Sequence, residues 1–128
     1  MPINEWSDAI LIAALQDEPQ FSEDLEHLLQ SLRTRGRPLP DVILDLTGVG
    51  YLNSSNLSQI LRVRKMLLLD GARMRVCGAT GPVSDAMRTM GLDRVLVFMD
   101  DVTAALTSLQ MEPRAEVATD DVDGDPEG

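Results

Sequence analysis

Short apolar runs alternate with stretches of helical periodicity along this chain, and this alternation constrains the fold more than any other feature. Residues 9–14 (AILIAA), 42–46 (VILDL) and 95–98 (VLVF) have the length and composition of buried strands. In residues 73–78 apolar side chains alternate with two arginines, which predicts a strand with one less buried face. Four β–α units in succession predict an α/β domain, with a mostly parallel sheet of four to five strands and about four helices.

Each predicted strand is followed by apolar residues at helical spacing, as in Leu25, Leu28, Leu29 and Leu32. The predicted helix boundaries are Ser22 as the cap of the first, Gly71 after the second, Pro82 and Gly91 around the third, and Asp100 or Asp101 as the cap of the fourth. The residues before Ala9 either add a short edge strand or form a frayed lead-in.

Charge and composition restrict the partners. The chain has 21 acidic and 11 basic residues, and its net charge of −10 argues against nucleic acid or an anionic membrane as the main partner. One Trp, one Tyr and two Phe cannot form a platform for stacking bases. No apolar run approaches the ~20 residues of a membrane helix, and the N-terminus lacks a signal-peptide pattern, so we expect a soluble cytoplasmic protein.

Much of the acidity lies at the C-terminal end. Residues 111–128 contain seven acidic residues and one basic residue, Arg114. Such a segment cannot bury enough apolar surface to offset its chain entropy. We therefore predict one domain over residues 1–110 and an acidic disordered tail over residues 111–128, which acts as a solubilising appendage or as a partner-binding segment.

The chain shows no recognisable arrangement for catalysis or metal binding, so we predict a protein that is not an enzyme and uses no cofactor or metal. His27, the single histidine, is expected at the surface, and Cys77 is expected to pack in the sheet. Asp45 lacks the acidic pair and the lysine that accompany a phosphorylated aspartate in receiver-type domains. It is predicted to form structural hydrogen bonds near a strand end.

The loop at residues 47–56 is the candidate site, because function in parallel sheets concentrates beyond the carboxyl ends of the strands. Four small polar residues stand directly before the second helix: Asn53, Ser54, Ser55 and Asn56. Helix capping explains one of them, and Asn56 with Gln59 has the spacing of a capping box. The remaining polar residues are also consistent with a serine that is modified or that contacts a partner. Its hydroxyl would lie at an exposed helix N-terminus, where a phosphate is accepted with little strain. On the residues alone, both interpretations stay open.

A third interpretation is a nucleotide site. Gly48 and Gly50 follow a strand and precede a helix, as in a dinucleotide-binding fingerprint. Asn53 stands where the third glycine is expected, and no acidic residue ends the following strand. The signal is therefore weak.

Several motifs, in order, resemble the STAS domain of anti-sigma factor antagonists over residues 9–110. They are Asp45-Leu46, Gly48-Val49, Tyr51-Leu52, Asn53-Ser54-Ser55-Asn56 in place of Asp-Ser-Ser/Thr-Gly, and Gly91-Leu92 followed, after two intervening residues, by Val95. The resemblance implies a STAS-like fold.

In that family the first hydroxyl of the motif is phosphorylated by a partner that is both an anti-sigma factor and a Ser/Thr protein kinase of the histidine-kinase-like ATPase type. The unphosphorylated domain binds this partner and frees the sigma factor. The resemblance implies Ser54 as the acceptor, with Ser55 as the secondary candidate. We expect the partner-binding surface to comprise Tyr51, Leu52, Asn53, Ser54, Ser55, Asn56, Leu57, Arg62 and Lys65.

Two departures from the family pattern affect this expectation. Asn53 replaces an aspartate that bears on kinase recognition, and Asn56 replaces a glycine, adding bulk where a partner would approach. The first-strand region is also short beside the family's N-terminal hairpin. The alternative function is a STAS interaction module that does not switch, within a larger signalling or lipid-transport assembly.

Overall fold

The computed structural model describes residues 3–112 and Arg114, which form one sheet with helices on both faces. In chain order the elements are β1 (Ile3–Ser7), β2 (Ile10–Gln16), α1 (Gln20–Thr34), β3 (Asp41–Gly48), α2 (Ser54–Leu69), β4 (Met74–Cys77), α3 (Gly81–Thr89), a 3₁₀ helix (Leu92–Arg94), β5 (Phe98–Met99) and α4 (Val102–Met111). The predicted α/β class and mostly parallel sheet are confirmed.

The strands lie in the order β1-β2-β3-β4-β5. β1 runs antiparallel to β2, and the other neighbours are parallel, with Leu11 opposite Val42 and Leu44 opposite Val76. Of the two alternatives for the N-terminal residues, the edge strand is correct. β1 and β2 form an N-terminal hairpin, so the expected shortening of this region is wrong.

Each face of the sheet has its own apolar core, because successive strand residues point to opposite faces. Leu44 belongs to the larger core, which lies beneath α1, α2 and α3 and includes Phe21 and Ile60. Ile43, its neighbour in sequence, belongs to the smaller core under α4, where it joins Leu109.

The start of α1 differs from the prediction. The helix begins at Gln20, with Pro19 in the capping position and Ser22 inside the first turn. The side-chain acceptor at this helix start is Glu18, whose Oε1 accepts the Ser22 N–H at 2.8 Å. A carboxylate preceding the helix thus does what the Ser22 hydroxyl was predicted to do, and it also favours the positive end of the helix dipole.

Strand β4 is buried on both faces, so the predicted less buried face is wrong. The Arg75 side chain lies under α4, where its Nε donates to Ser108 Oγ at 2.7 Å and its guanidinium pairs with Glu112 at 3.4 Å. Burial lowers the pKa of Arg75. The arginine is tolerated there because α4 supplies polar partners that are more than 30 residues away in sequence.

The last strand is also shorter than predicted. Only Phe98 and Met99 pair with β4, while Val95 and Val97 are exposed. The preceding 3₁₀ helix ends at Arg94 with Val95 as its C-cap, and Arg64 Nε donates to the Val95 carbonyl at 2.9 Å.

The C-terminal helix begins as predicted, with Asp101 as its cap. It ends at Met111, and the Arg114 guanidinium reaches the Leu39 carbonyl, so the packed region extends beyond residue 110. The rest of the predicted tail, residues 115–128, lies outside the described residues. Among the described helices, none is long and apolar enough to cross a membrane.

Candidate functional site

The loop between β3 and α2 lies at the carboxyl edge of the sheet, where Gly48 pairs with Gln16 at the end of β2. Val49 and Leu52 anchor this loop in the larger core, whereas Tyr51 between them is 66% exposed. The Val49 N–H donates to the Leu46 carbonyl at 2.9 Å and turns the chain away from the strand. These contacts fix the path of the loop, which leads to residues 53–56 at the start of α2.

Asn53 and Asn56 cap α2 reciprocally. The Asn53 side chain accepts the Asn56 N–H at 2.8 Å, and the Asn56 side chain accepts the Asn53 N–H at 3.0 Å. The predicted capping box of Asn56 with Gln59 is therefore wrong, since α2 starts three residues earlier than that pairing requires. The side chains of Asn53 and Asn56 are enough to cap α2, and neither serine side chain is needed for capping.

Ser54 and Ser55 occupy the first two positions of α2, and both are exposed. Their backbone N–H groups have no hydrogen-bond partner within the described part of the chain. The first turn of α2 contains no acidic residue. A hydroxyl at Ser54 thus lies at the positive end of a helix, beside unused amide donors, where added negative charge is tolerated.

Two acidic residues that the sequence reasoning missed hold this turn in place. Asp17 Oδ1 accepts the Gly50 N–H at 3.0 Å, and Glu18 Oε2 accepts the Asn56 side-chain amide at 2.9 Å. Hydrogen bonds from the Ser22 hydroxyl and amide, and then from Asn56, lower the pKa of Glu18. A usable signal was the Asp17-Glu18 pair shortly after the predicted strand at residues 9–14, because parallel strands end at one edge.

Asn56 faces inward and is only 1% exposed. Its side-chain amide also approaches Gln59 Oε1 at 3.4 Å, and that oxygen is 3.5 Å from the Ser22 hydroxyl. The expectation that Asn56 adds bulk on a partner-facing surface is therefore wrong. Asn56 instead joins the starts of α1 and α2 through a polar network beneath the exposed serines.

The predicted contact residues divide into buried and exposed groups. Leu52 and Leu57 are 6% and 5% exposed and belong to the larger core, so they support the site from below and are not part of its surface. Arg62 and Lys65 are exposed on α2, at a spacing from Ser55 that places them on one helix face. Arg62 also pairs with Glu26 at 3.4 Å.

We call the exposed residues of this region the α2 surface: Tyr51, Ser54, Ser55, Arg62 and Lys65. Asn53, half-buried at the cap, lies at its edge. The α2 surface combines one aromatic ring, two hydroxyls and two cations.

The glycines of the loop do not line a phosphate-sized opening. A side chain at Gly48 would meet the Leu15 carbonyl at 3.0 Å, and the Gly50 N–H already donates to the Asp17 carboxylate. The Gly50 N–H, which a phosphate-binding glycine loop would offer to its ligand, is therefore already used by a carboxylate. This geometry disfavours the nucleotide interpretation.

The remaining candidate residues have structural surroundings. Asp45 Oδ1 accepts the Thr47 N–H at 3.0 Å and the Thr47 hydroxyl at 2.6 Å, which confirms its predicted structural role. Cys77 is buried in the sheet, and burial raises the pKa of its thiol to about 12. His27 is exposed, as predicted. Across residues 3–112 and Arg114, no cluster of three or more His, Cys, Asp and Glu side chains is arranged to hold a metal.

The sheet order, the hairpin and the α2 site define a domain that matches the STAS domain family over residues 4–105. The chain belongs to that family.

Relatives include an anti-sigma F factor antagonist of Paenibacillus polymyxa, 26% identical over 108 residues, which cover 84% of this chain and 92% of that protein. The structure of the anti-sigma factor antagonist SpoIIAA in its unphosphorylated form aligns with a TM-score of 0.73 and 11% identity, covering 88% of this chain and 97% of that chain. A SulP transporter STAS domain of Vibrio cholerae aligns with a TM-score of 0.67 and 17% identity, over 82% of this chain and 86% of that chain.

Proposed function

We propose that this chain is an anti-sigma factor antagonist, which binds an anti-sigma factor through the α2 surface and loses affinity when Ser54 is phosphorylated. The observation that carries the proposal is the exposure of Ser54 at the first position of α2, where neither capping nor packing requires a hydroxyl. The similarity to the Paenibacillus polymyxa antagonist supports the same role. The role is regulatory, without a reaction of its own.

The physical basis of the switch is a difference between the free and the docked protein. A phosphate adds about −1.5 to −2 charges at pH 7, but at an exposed helix N-terminus its effect on folding is ~1 kcal/mol or less and favourable in sign. In a docked interface the same group must lose its water. A cost of several kcal/mol there lowers affinity by orders of magnitude, because each ~1.4 kcal/mol is tenfold.

The partner that fits is an anti-sigma factor that is also a Ser/Thr kinase of the histidine-kinase-like ATPase type, as the STAS resemblance implies. Such a partner must both dock on the α2 surface and bring a nucleotide phosphate to the Ser54 hydroxyl. Arg62 and Lys65 lie on the same helix and supply positive charge for an acidic patch on the kinase.

The test is calorimetric titration of the kinase, captured from the native host with the full chain as bait, against three proteins. We expect Ser54→Asp to lower affinity at least ~100-fold relative to wild type, the equivalent of about 2.7 kcal/mol, with little change in melting temperature. Thr103→Asp is the matched control, because Thr103 is also exposed in the first turn of a helix, α4. It should bind like wild type.

Equal binding by wild type and Ser54→Asp would contradict the proposed switch. That result would favour the alternative, a STAS interaction module that does not switch. Loss of binding in both Asp variants would indicate a general charge effect and would also contradict a role specific to Ser54.

A further inference from the structure

A second distinct surface lies at the opposite end of α2 from Ser54. Three arginines, Arg33, Arg35 and Arg37, line a groove there whose apolar lining includes Leu39 and Leu69. Leu69 is 76% exposed, among the most exposed large apolar side chains that the structure describes. We call this feature the arginine groove. With 16 residues, α2 separates the groove from Ser54 by about 24 Å, whereas Lys65 of the α2 surface lies about one helical turn from Leu69.

The rim of the arginine groove keeps donors for an anionic ligand. Arg35 pairs with Glu5 and Arg37 pairs with Asp70, but the Arg37 side chain is still 73% exposed. A guanidinium carries five N–H donors, so one ion pair leaves most of them available. Arg33 is exposed at the end of α1. An acidic segment with some apolar residues is the chemistry that matches this rim and its exposed leucine.

The last described residue of the chain, Arg114, lies next to the arginine groove. Arg114 Nε donates to Asp41 at 3.1 Å, and its guanidinium also reaches the Leu39 carbonyl. Leu39 lines both the arginine groove and the neighbouring depression that holds Arg114. Arg114, the last residue that the structure describes, therefore lies at a point that adjoins the groove.

The sequence of residues 115–128 is complementary to the arginine groove. It contains six acidic residues and no lysine or arginine, and its apolar residues include Val117 and Val122. Fourteen residues span at most ~46 Å when extended, and packed helices such as α1 and α2 lie ~10 Å apart, so the segment is long enough to cross the groove. Tethering next to the groove gives it an effective concentration on the order of millimolar.

We propose that the acidic segment 115–128 of the same chain occupies the arginine groove. The segment covers Leu69 and neutralises the three arginines, while Ser54 and Ser55 at the other end of α2 stay open. Individual exposed ion pairs are worth ~1 kcal/mol or less and are screened by salt, so the contact is reversible and depends on ionic strength. This inference does not depend on phosphorylation of Ser54.

The test places a nitroxide spin label on the full chain at Asp123→Cys and records amide NMR signals of the labelled protein. Cys77 does not compete for the label, because it is buried and its pKa is raised to about 12. At about 0.01 M salt, where the Debye length is ~30 Å, we expect broadening of the Arg33, Arg37 and Leu69 signals. At about 1 M salt, where it is ~3 Å, these signals should recover.

Arg33→Glu should reduce the broadening severalfold, whereas Arg88→Glu, a charge reversal at an exposed arginine on α3, should leave it unchanged. Broadening that is absent, or that centres on Ser54 at the other end of α2, would overturn the proposal. A mixture of spin-labelled protein without ¹⁵N and unlabelled ¹⁵N protein distinguishes a second copy as the occupant. Broadening of equal size in that mixture would also overturn it.

Discussion

Helices α2 and α4 both begin at the carboxyl edge of the sheet, and their first turns show which features of the α2 site go beyond helix capping. Asp101 caps α4 by accepting the Ala104 N–H at 2.8 Å, and Asn53 caps α2 by accepting the Asn56 N–H at the same distance. One residue is enough at α4. At α2 the cap is neutral, and the next two residues are exposed serines, so the helix end keeps its positive character.

The support beneath the two helix starts also differs. Val102, the first residue of α4, packs on the smaller apolar core. The start of α2 instead lies on the polar network of Asn56, Gln59 and Glu18. Hydrogen bonds require a defined geometry, so this network holds the exposed serines at a fixed position. We infer that α4 is built for packing and that the start of α2 is built to present a hydroxyl.

The largest expected effect comes from removing the network at its centre. Asn56→Ala should lower the free energy of unfolding by about 2 kcal/mol, because it leaves the Asn53 N–H without its acceptor in a part-buried site and removes two donor contacts. Urea unfolding of wild type and variant measures the change. At α4 the equivalent position is already an alanine, Ala104. A loss under about 0.5 kcal/mol would show that the network does not stabilise α2.

A smaller effect is expected from removing the cap of either helix, and it allows the two caps to be compared directly. Asn53→Ala and Asp101→Ala should each lower the free energy of unfolding by about 1 kcal/mol, since each removes a side-chain acceptor from a helix start. The loss in Asp101→Ala should shrink at high salt, because a charged cap also interacts with the helix dipole. The loss in Asn53→Ala should not depend on salt.

Asn53→Asp and Asp101→Asn are the controls, because each keeps an acceptor oxygen and exchanges only the charge. Both should unfold within about 0.5 kcal/mol of wild type. Equal salt dependence at the two helices would mean that the charge difference between the caps has no energetic consequence.

The smallest effect concerns Glu18 and pH. Its pKa in the folded protein is lowered from 4.5, mainly by hydrogen bonds from Ser22 and then Asn56. The ionised form therefore stabilises the folded state above pH 4.5, and this stabilisation is lost as the pH falls through the lowered value. In Glu18→Gln this contribution to the acid dependence of stability should be absent. Identical acid profiles for the two proteins would contradict the hydrogen bonds that Ser22 and Asn56 donate to Glu18.

The sequence predicted the features that depend on local patterns. The apolar runs located β2 and β3, and Asp101 and Gly91 marked helix ends as the structure has them. Predictions from local patterns were wrong where contacts between residues distant in sequence determine burial. The burial of Arg75 depends on hydrogen bonds to Ser108 and Glu112, which lie more than 30 residues later in the chain. No local pattern around Arg75 indicates these partners.

At the site, the exposure of Ser54 and Ser55 could be predicted from their excess over the capping requirement. The direction of Asn56 could not, because its partner Glu18 lies 38 residues earlier in the chain. The position of Leu52 and Leu57 beside the serines predicts that they lie at the surface. In the structure both side chains are buried in the larger core.

The central claim is that modification of Ser54 controls association. Tandem mass spectrometry of the protein purified from its native host, separated into free and partner-bound pools, tests it most directly. Phosphate should be found on Ser54 in the free pool and be absent from Ser54 in the bound pool. Ser54 unmodified in both pools, or phosphorylated to the same extent in both, would contradict the claim.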